Sequence, residues 1–151
     1  MMKFMDFICI KATLPDLKAS GKQEAITKLV NSLKEKGKIK MAEPIIELLL
    51  SREKLGSTAI GNGAAIPHCS TELIEKLTGV LGISPEGVEF DSPDGNKANI
   101  IFLLLSPAGG KSGHLDALAK IAKFVKDKKR RDLLLSAPSV EAVAEIMEKG
   151  E

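Results

Sequence analysis

Apolar residues recur at helical spacing in two segments of the first third of the chain. The first segment, residues 25–36, is followed by Gly37, a residue that commonly ends helices, and Ser20 is placed to cap its start. The second segment, residues 43–54, has a proline in its first turn, where proline is tolerated. Nearly every position over 45–50 is apolar, which predicts burial of this second helix on most sides.

Strand-like patterns occupy the N-terminus and the middle of the chain. Residues 1–10 are mostly apolar and predict a strand, and short extended pieces are predicted at 58–60 and 64–66. Residues 77–83 form a further strand-like run. The run 98–105 is unbroken and mostly apolar, as in a strand that is covered on both faces. We therefore expect this last run at the centre of a sheet.

Helical patterns dominate the remainder of the chain. A short helical turn is predicted at 71–76, and an amphipathic helix at 114–125. A break over 127–131, a short helix at 132–135 and a last helix from 138 to 147 follow. This order of elements predicts an α/β fold: a single-domain sandwich over residues 1–151, with a mixed β-sheet and helices on both faces.

Composition excludes several classes of protein. The 151 residues carry a net charge of only +2 with no Trp and no Tyr, which argues against nucleic acid as a partner. The longest apolar run, 100–105, is far shorter than the roughly 20 residues that cross a bilayer. The N-terminus lacks a signal-peptide cleavage site, and two cysteines form no disulfide framework. We therefore expect a cytoplasmic protein without membrane insertion.

One of only two histidines, His68, ends a stretch that contains a Gly-Asn-Gly turn and Pro67. Imidazole is the side chain best suited to act as a nucleophile or base near neutral pH. The proline fixes its own φ and stiffens the chain next to the ring, and the two glycines allow a tight bend. On spacing alone, a histidine that only bonds to the backbone of a turn is an equally good interpretation.

Further polar residues fall in the predicted loops and helix ends. His114 opens a predicted helix, where free N–H groups and the helix dipole favour anions and a neutral imidazole. Arg52 ends the second helix, and a guanidinium there can hold two oxygens of a phosphoryl group. Thr58 and Ser112 are hydroxyl donors in loops and are candidates for phosphate support. Each has a plainer interpretation as an exposed, solvated or turn-capping residue.

The stretch from Ser51 to His68 resembles the signature of the fructose/mannitol-type enzyme IIA domains of the bacterial phosphoenolpyruvate:sugar phosphotransferase system. The Gly-His-Leu helix start at His114 is similar to the segment around the second histidine of that family, and the resemblance covers essentially the whole chain. Ala59 and Ala64 depart from the residues that are frequent in the family. Both departures change packing near the turn and leave the chemical residues in place.

The resemblance implies a function. His68 would accept a phosphoryl group from the phosphohistidine of the carrier protein HPr and pass it to an enzyme IIB domain, with His114 and Arg52 supporting the transfer. No cofactor or metal is implied, and the sugar is not determined by this chain. Nitrogen-type members of the same family act through protein contacts instead, and this alternative stays open. A remote alternative is a metal-binding module that uses His68, Cys69 and His114, although zinc prefers a fourth ligand.

Overall fold

The computed structural model describes residues 2–109 and 113–150. Within these residues five α-helices form: α1 (Lys22–Glu35), α2 (Glu43–Lys54), α3 (His114–Lys126), α4 (Lys128–Ser136) and α5 (Val140–Lys149). Five strands form in the same part of the chain: β1 (Ala59–Gly61), β2 (Ala64–Ala65), β3 (His68–Thr71), β4 (Thr78–Val88) and β5 (Ala98–Pro107). Two short 3-10 helices, Phe4–Asp6 and Ile10–Ala12, precede α1.

Strand β5 is the centre of the sheet, as its apolar run predicts. The long strand β4 pairs antiparallel with one edge of β5. Strands β2 and β3 follow one another along the other edge, both parallel to β5, with Ala65 opposite Ile101 and His68 opposite Leu104. Strand β1 pairs antiparallel with β2. The sheet is therefore mixed, as predicted.

Both faces of the sheet are buried, which confirms the sandwich. Successive side chains of a strand point to opposite faces, so a strand covered on both sides is apolar throughout. One face packs against α1 and α2, and the other against α3, α4 and α5. The side chains that β5 sends to the two faces are Ile101, Leu103 and Leu105 on the first and Ile100, Phe102 and Leu104 on the second.

The N-terminal segment is not the regular strand that its sequence predicts. Single bridges join it to β4, such as that between Ile8 and Gly79. The first 3-10 helix turns the chain so that Phe4 and Phe7, three residues apart, both reach the cluster that α3 covers. In a strand, these two rings would face opposite sides. Gly79 permits the close approach, since a Cβ there would lie 2.9 Å from Cδ1 of Ile8.

Helix boundaries differ from the predicted ones in two places. Helix α1 starts at Lys22 with Gly21 as its N-cap, and the backbone N–H of Ser20 donates to Glu24 Oε1 at 2.7 Å, so the Ser20 side chain does not cap. The predicted break over 127–131 is also shorter than expected. Asp127 alone separates α3 from α4, because its carboxylate accepts from the Lys129 N–H at 2.9 Å and starts a new helix.

The segment after β3 also differs from its pattern. The predicted helical turn at 71–76 is not formed: Thr71 ends β3, and residues 72–76 contain a turn and a bend. Strand β3 is not among the predicted elements. A four-residue segment with the polar composition His-Cys-Ser-Thr carries no strand pattern. Its pairing with the central β5 is what makes it a strand.

Helix α2 buries one face only, contrary to the prediction that most of its sides are buried. Ile45, Leu49 and Glu53, spaced four apart, are the buried positions. Leu48 is 41% exposed, although it lies in the same apolar run. Contact with α1 and β3 decides which face of the run is covered.

This one-sided burial predicts different costs for two adjacent leucines. We expect Leu49→Ala to lower the free energy of unfolding by about 2–5 kcal/mol, because it leaves a cavity in the core. Leu48→Ala removes the same atoms from a partly exposed position, and we expect a loss below about 1 kcal/mol. Urea denaturation of both variants measures the difference, and equal losses would contradict the one-sided packing.

Candidate functional site

His68 is the first residue of β3, and a backbone bond fixes its ring. Its Nδ1 lies 2.7 Å from the carbonyl oxygen of Ile66. A carbonyl only accepts hydrogen bonds, so Nδ1 carries the proton in this contact. In the neutral ring the lone pair is then on Nε2. The imidazole is half-buried, and a main-chain carbonyl two residues earlier fixes which of its nitrogens carries the proton.

The backbone between β2 and β3 is held in place beside this contact. Pro67 has no N–H and cannot donate to a strand ladder. Its carbonyl accepts from the Leu104 N–H at 2.9 Å, so the segment stays attached to β5. Both Ile66 and Pro67 are buried, and the backbone next to the ring is therefore held by packing and by the central strand.

The Gly-Asn-Gly turn orders the hairpin that precedes the histidine. Gly61, Asn62 and Gly63 have φ of 87°, 57° and 76°, a region that glycine and asparagine tolerate. The Asp94 carboxylate accepts from the Asn62 N–H at 3.0 Å, and its hydrogen bonds lower the pKa of Asp94 to about 2. The turn leads into β2, roughly 13 Å along the strand from His68. The turn therefore affects the position of the His68 ring only by ordering the hairpin.

The structure brings His114 against His68. Their ring centroids are 5.5 Å apart and their planes are inclined by 53°. His114 is the first residue of α3, after Gly113 with φ of 80°, and its Nδ1 contacts the hydroxyl of buried Ser106 at the end of β5. Burial is the main cause that lowers the pKa of His114, and the neighbouring charge of His68 lowers it further. The neutral form of the His114 ring is therefore favoured.

Arg52 and Thr58 are held by other partners than the two rings. Arg52 donates from Nη1 to the carbonyl of Gly56 at 2.8 Å, and its helix α2 contacts β3. Thr58 is 5% exposed, and its hydroxyl donates to the carboxylate of Glu53. Ser112, the remaining candidate for phosphate support, lies outside the described residues.

Sequence reasoning missed two side chains that the fold brings to the site. Ser106 comes at the end of the apolar run, and its only signal is its position eight residues before the second histidine. Glu53 follows Arg52 in the motif and has the appearance of a charged helix end. Its side chain is in fact 2% exposed. Only the packing of α2 shows that this carboxylate is buried.

The metal hypothesis finds no set of ligands in the described residues. Within 2–109 and 113–150, no three His, Cys, Asp or Glu side chains are grouped so that they could hold a metal ion. Burial raises the pKa of the Cys69 thiol to about 11, so the thiolate that metals require is scarce at pH 7.

Within the residues that the structure describes, the helices are too short or too polar to cross a bilayer.

Comparison with known proteins identifies the family. The family model described as phosphoenolpyruvate-dependent sugar phosphotransferase system, EIIA 2, matches residues 7–150, and the chain belongs to this family. A nitrogen regulatory protein of Bradyrhizobium diazoefficiens is 35% identical over 147 residues, which are 97% of this chain and 95% of that protein. The fructose-specific EIIABC component of Bacillus subtilis is 30% identical over 97% of this chain, which corresponds to 23% of the larger protein.

A solved structure agrees with the architecture. The crystal structure of nitrogen regulatory protein IIA-Ntr from Neisseria meningitidis superimposes with a TM-score of 0.86 at 32% identity, covering 94% of this chain and 97% of that one. The predicted family and fold are thus confirmed. The matched relatives carry both nitrogen-regulatory and sugar-transport names, so the family by itself does not select between the two roles.

The lowered pKa of His114 predicts its titration. We expect His114 to titrate below 6.5 in an NMR pH series, since burial opposes the charged ring. His68→Gln removes the second, coulombic cause, so the pKa of His114 should rise but stay below 6.5. Below pH 6.5 the unfolded chain binds the proton more readily than the folded one, so the contribution of His114 to stability falls as the pH falls. A His114 pKa above 6.5 in the unmodified protein would contradict this arrangement.

Proposed function

We propose that this protein is a phosphoryl carrier in which Nε2 of His68 receives a phosphoryl group from an HPr-like carrier protein and delivers it to an enzyme IIB domain. The observation that carries the proposal is the hydrogen bond from His68 Nδ1 to the Ile66 carbonyl. It leaves one nitrogen with a free lone pair, which is the requirement for a nucleophile. The family to which the chain belongs supports phosphoryl transfer as the reaction.

The reaction is an in-line displacement at phosphorus. The Nε2 lone pair of His68 forms the new N–P bond while the N–P bond to the donor imidazole breaks, and the electron pair of that bond returns to the donor ring. His68 keeps its Nδ1 proton, so the phosphorylated ring carries a positive charge that the Ile66 carbonyl stabilises. Transfer of this kind depends mainly on positioning and on charge compensation. The second transfer, to enzyme IIB, is the same displacement in the opposite sense.

Charge compensation comes from the groups beside the ring. His114 favours its neutral form, and we assign the Ser106 hydroxyl as the donor to its Nδ1, which leaves Nε2–H as a donor to the phosphoryl oxygens. The first turn of α3 starts at His114 and has free backbone N–H groups, which favour anions. Arg52 is proposed to orient the phosphoryl group with N–H donors other than the one that bonds to Gly56.

Exposed leucines suit the docking of partner proteins. Leu115, the residue after His114, is 79% exposed, and Leu55, at the end of α2, is 86% exposed. Large exposed apolar residues often mark interaction surfaces, and apolar cover would also slow the hydrolysis of phosphohistidine. Both proposed partners are proteins, and we assign their encounter to the cytoplasm.

A second candidate function is regulation without a sugar permease. It is favoured by the nitrogen regulatory protein of Bradyrhizobium diazoefficiens, which matches over nearly its full length. The same phosphohistidine would then change which proteins the carrier binds. Incubation of the phosphorylated protein with candidate IIB domains separates the two functions. Transfer to a IIB domain supports sugar uptake, and stable phosphoprotein that alters binding to other proteins supports regulation.

Substitution of the two histidines tests the phosphoryl carrier. With phosphoenolpyruvate, enzyme I and HPr, we expect radiolabel on the wild-type protein and none on His68→Ala, because the nucleophile is absent. We expect His114→Ala to accept the label but to pass it on about 10-fold to 100-fold more slowly, since it loses a donor that positions the phosphoryl group.

The control for this experiment is His68→Gln, which replaces the imidazole with an amide of similar size that is not a nucleophile. It should also remain unlabelled while its thermal unfolding stays close to that of the wild type. Labelling of the His68→Ala protein would place the acceptor elsewhere and refute the proposal.

A further inference from the structure

Glu53 is a buried carboxylate with an incomplete counter-charge. Its side chain is 2% exposed, and the nearest cation, the ammonium group of Lys22, is 4.0 Å away and shared with Asp91 at 3.0 Å. Burial of a charged carboxylate is costly unless hydrogen bonds satisfy it. Both oxygens of Glu53 instead accept from Thr58, one from its N–H at 3.2 Å and the other from its hydroxyl.

Hydrogen bonds continue from Thr58 to the reactive ring. The carbonyl of Thr58 accepts from the N–H of Ile66 at 3.1 Å. The carbonyl of Ile66 accepts from Nδ1 of His68 at 2.7 Å. Glu53 is thus connected to the imidazole through two residues, with the donor and acceptor of each contact identified by its chemistry.

The connection has a mechanical consequence. Two hydrogen bonds to one carboxylate hold both the side chain and the backbone N–H of Thr58. The Thr58 carbonyl accepts from the N–H of Ile66, one peptide group before the Ile66 carbonyl that lies against Nδ1 of His68. A displacement of Thr58 can therefore be transmitted through Ile66 to the contact that selects the ring tautomer.

We infer that Glu53 is a positioning residue for phosphoryl transfer, which acts through Thr58 and Ile66 to hold His68 in the Nδ1–H tautomer with Nε2 free. This inference rests on the proposed function for its effect on transfer. Its effect on the tautomer concerns the unphosphorylated protein alone. The hydrogen bonds of Glu53 go to Thr58 and not to the ring.

The test combines NMR with kinetics on the variant Glu53→Gln. Glutamine keeps the size of the side chain but has only one carbonyl oxygen, so it accepts from Thr58 with one oxygen in place of two. Long-range 1H–15N correlation reports the tautomer of His68, and we expect its Nδ1–H share to fall. At saturating phosphorylated HPr, we expect kcat for phosphoryl acceptance to fall about 10-fold to 100-fold while KM changes less than about 2-fold.

Matched variants separate positioning from stability. Glu47→Gln makes the same chemical change on the exposed face of α2 and should leave tautomer and kcat unchanged. Thr58→Val removes the hydroxyl at nearly constant shape and should reproduce the effect of Glu53→Gln, whereas Thr58→Ser keeps the donor and should retain wild-type behaviour. The Thr58 pair decides the question if Glu53→Gln does not fold.

Two results would overturn the inference. One is an unchanged His68 tautomer in folded Glu53→Gln or, if that variant does not fold, in Thr58→Val. The other is a changed tautomer with an unchanged kcat. If the wild-type protein accepts no phosphoryl group at all, the proposed function fails, and the tautomer comparison still decides whether Glu53 positions the ring.

Discussion

The hydrogen bond from His68 Nδ1 to the Ile66 carbonyl is the contact on which the proposed phosphoryl transfer depends. An imidazole in solution exchanges between two tautomers, and only the nitrogen without a proton can attack phosphorus. A backbone carbonyl removes this ambiguity because it cannot donate. The carbonyl is itself held in a buried peptide beside the central strand, so the tautomer of His68 is determined by the fold and not by a flexible side chain.

The sheet explains how such a carbonyl becomes available. Along one edge of β5, the strands β2 and β3 are interrupted at Ile66 and Pro67, where a regular ladder is not completed. The Pro67 carbonyl faces β5 and accepts from the Leu104 N–H, whereas the Ile66 N–H donates on the opposite side to the Thr58 carbonyl. Because the backbone groups of successive strand residues alternate between the two edges, the Ile66 carbonyl faces away from β5 and is available to Nδ1 of His68.

Two different environments meet at the paired histidines. His68 takes its orientation from the strand side, and His114 takes its position from the start of α3 and from buried Ser106. Burial lowers the pKa of His114, so the neutral form of this second ring is favoured beside His68. Both elements meet near the C-terminal end of β5, where His68 lies opposite Leu104 and His114 contacts Ser106, so the geometry of the site depends on the integrity of the core.

Sequence alone determined the class of fold and the central strand, and it singled out the two histidines as candidate site residues. Periodic apolar patterns and a long motif that ends in Pro-His are local properties, which a sequence shows directly. The tertiary structure decided which face of α2 is buried, that residues 1–10 turn back to bury Phe4 and Phe7 on one side, and that the polar segment from His68 is a strand. It also decided that Glu53 is buried and that Ser106 meets His114. These features depend on contacts between residues distant along the chain, which no local pattern of hydrophobic and polar positions encodes.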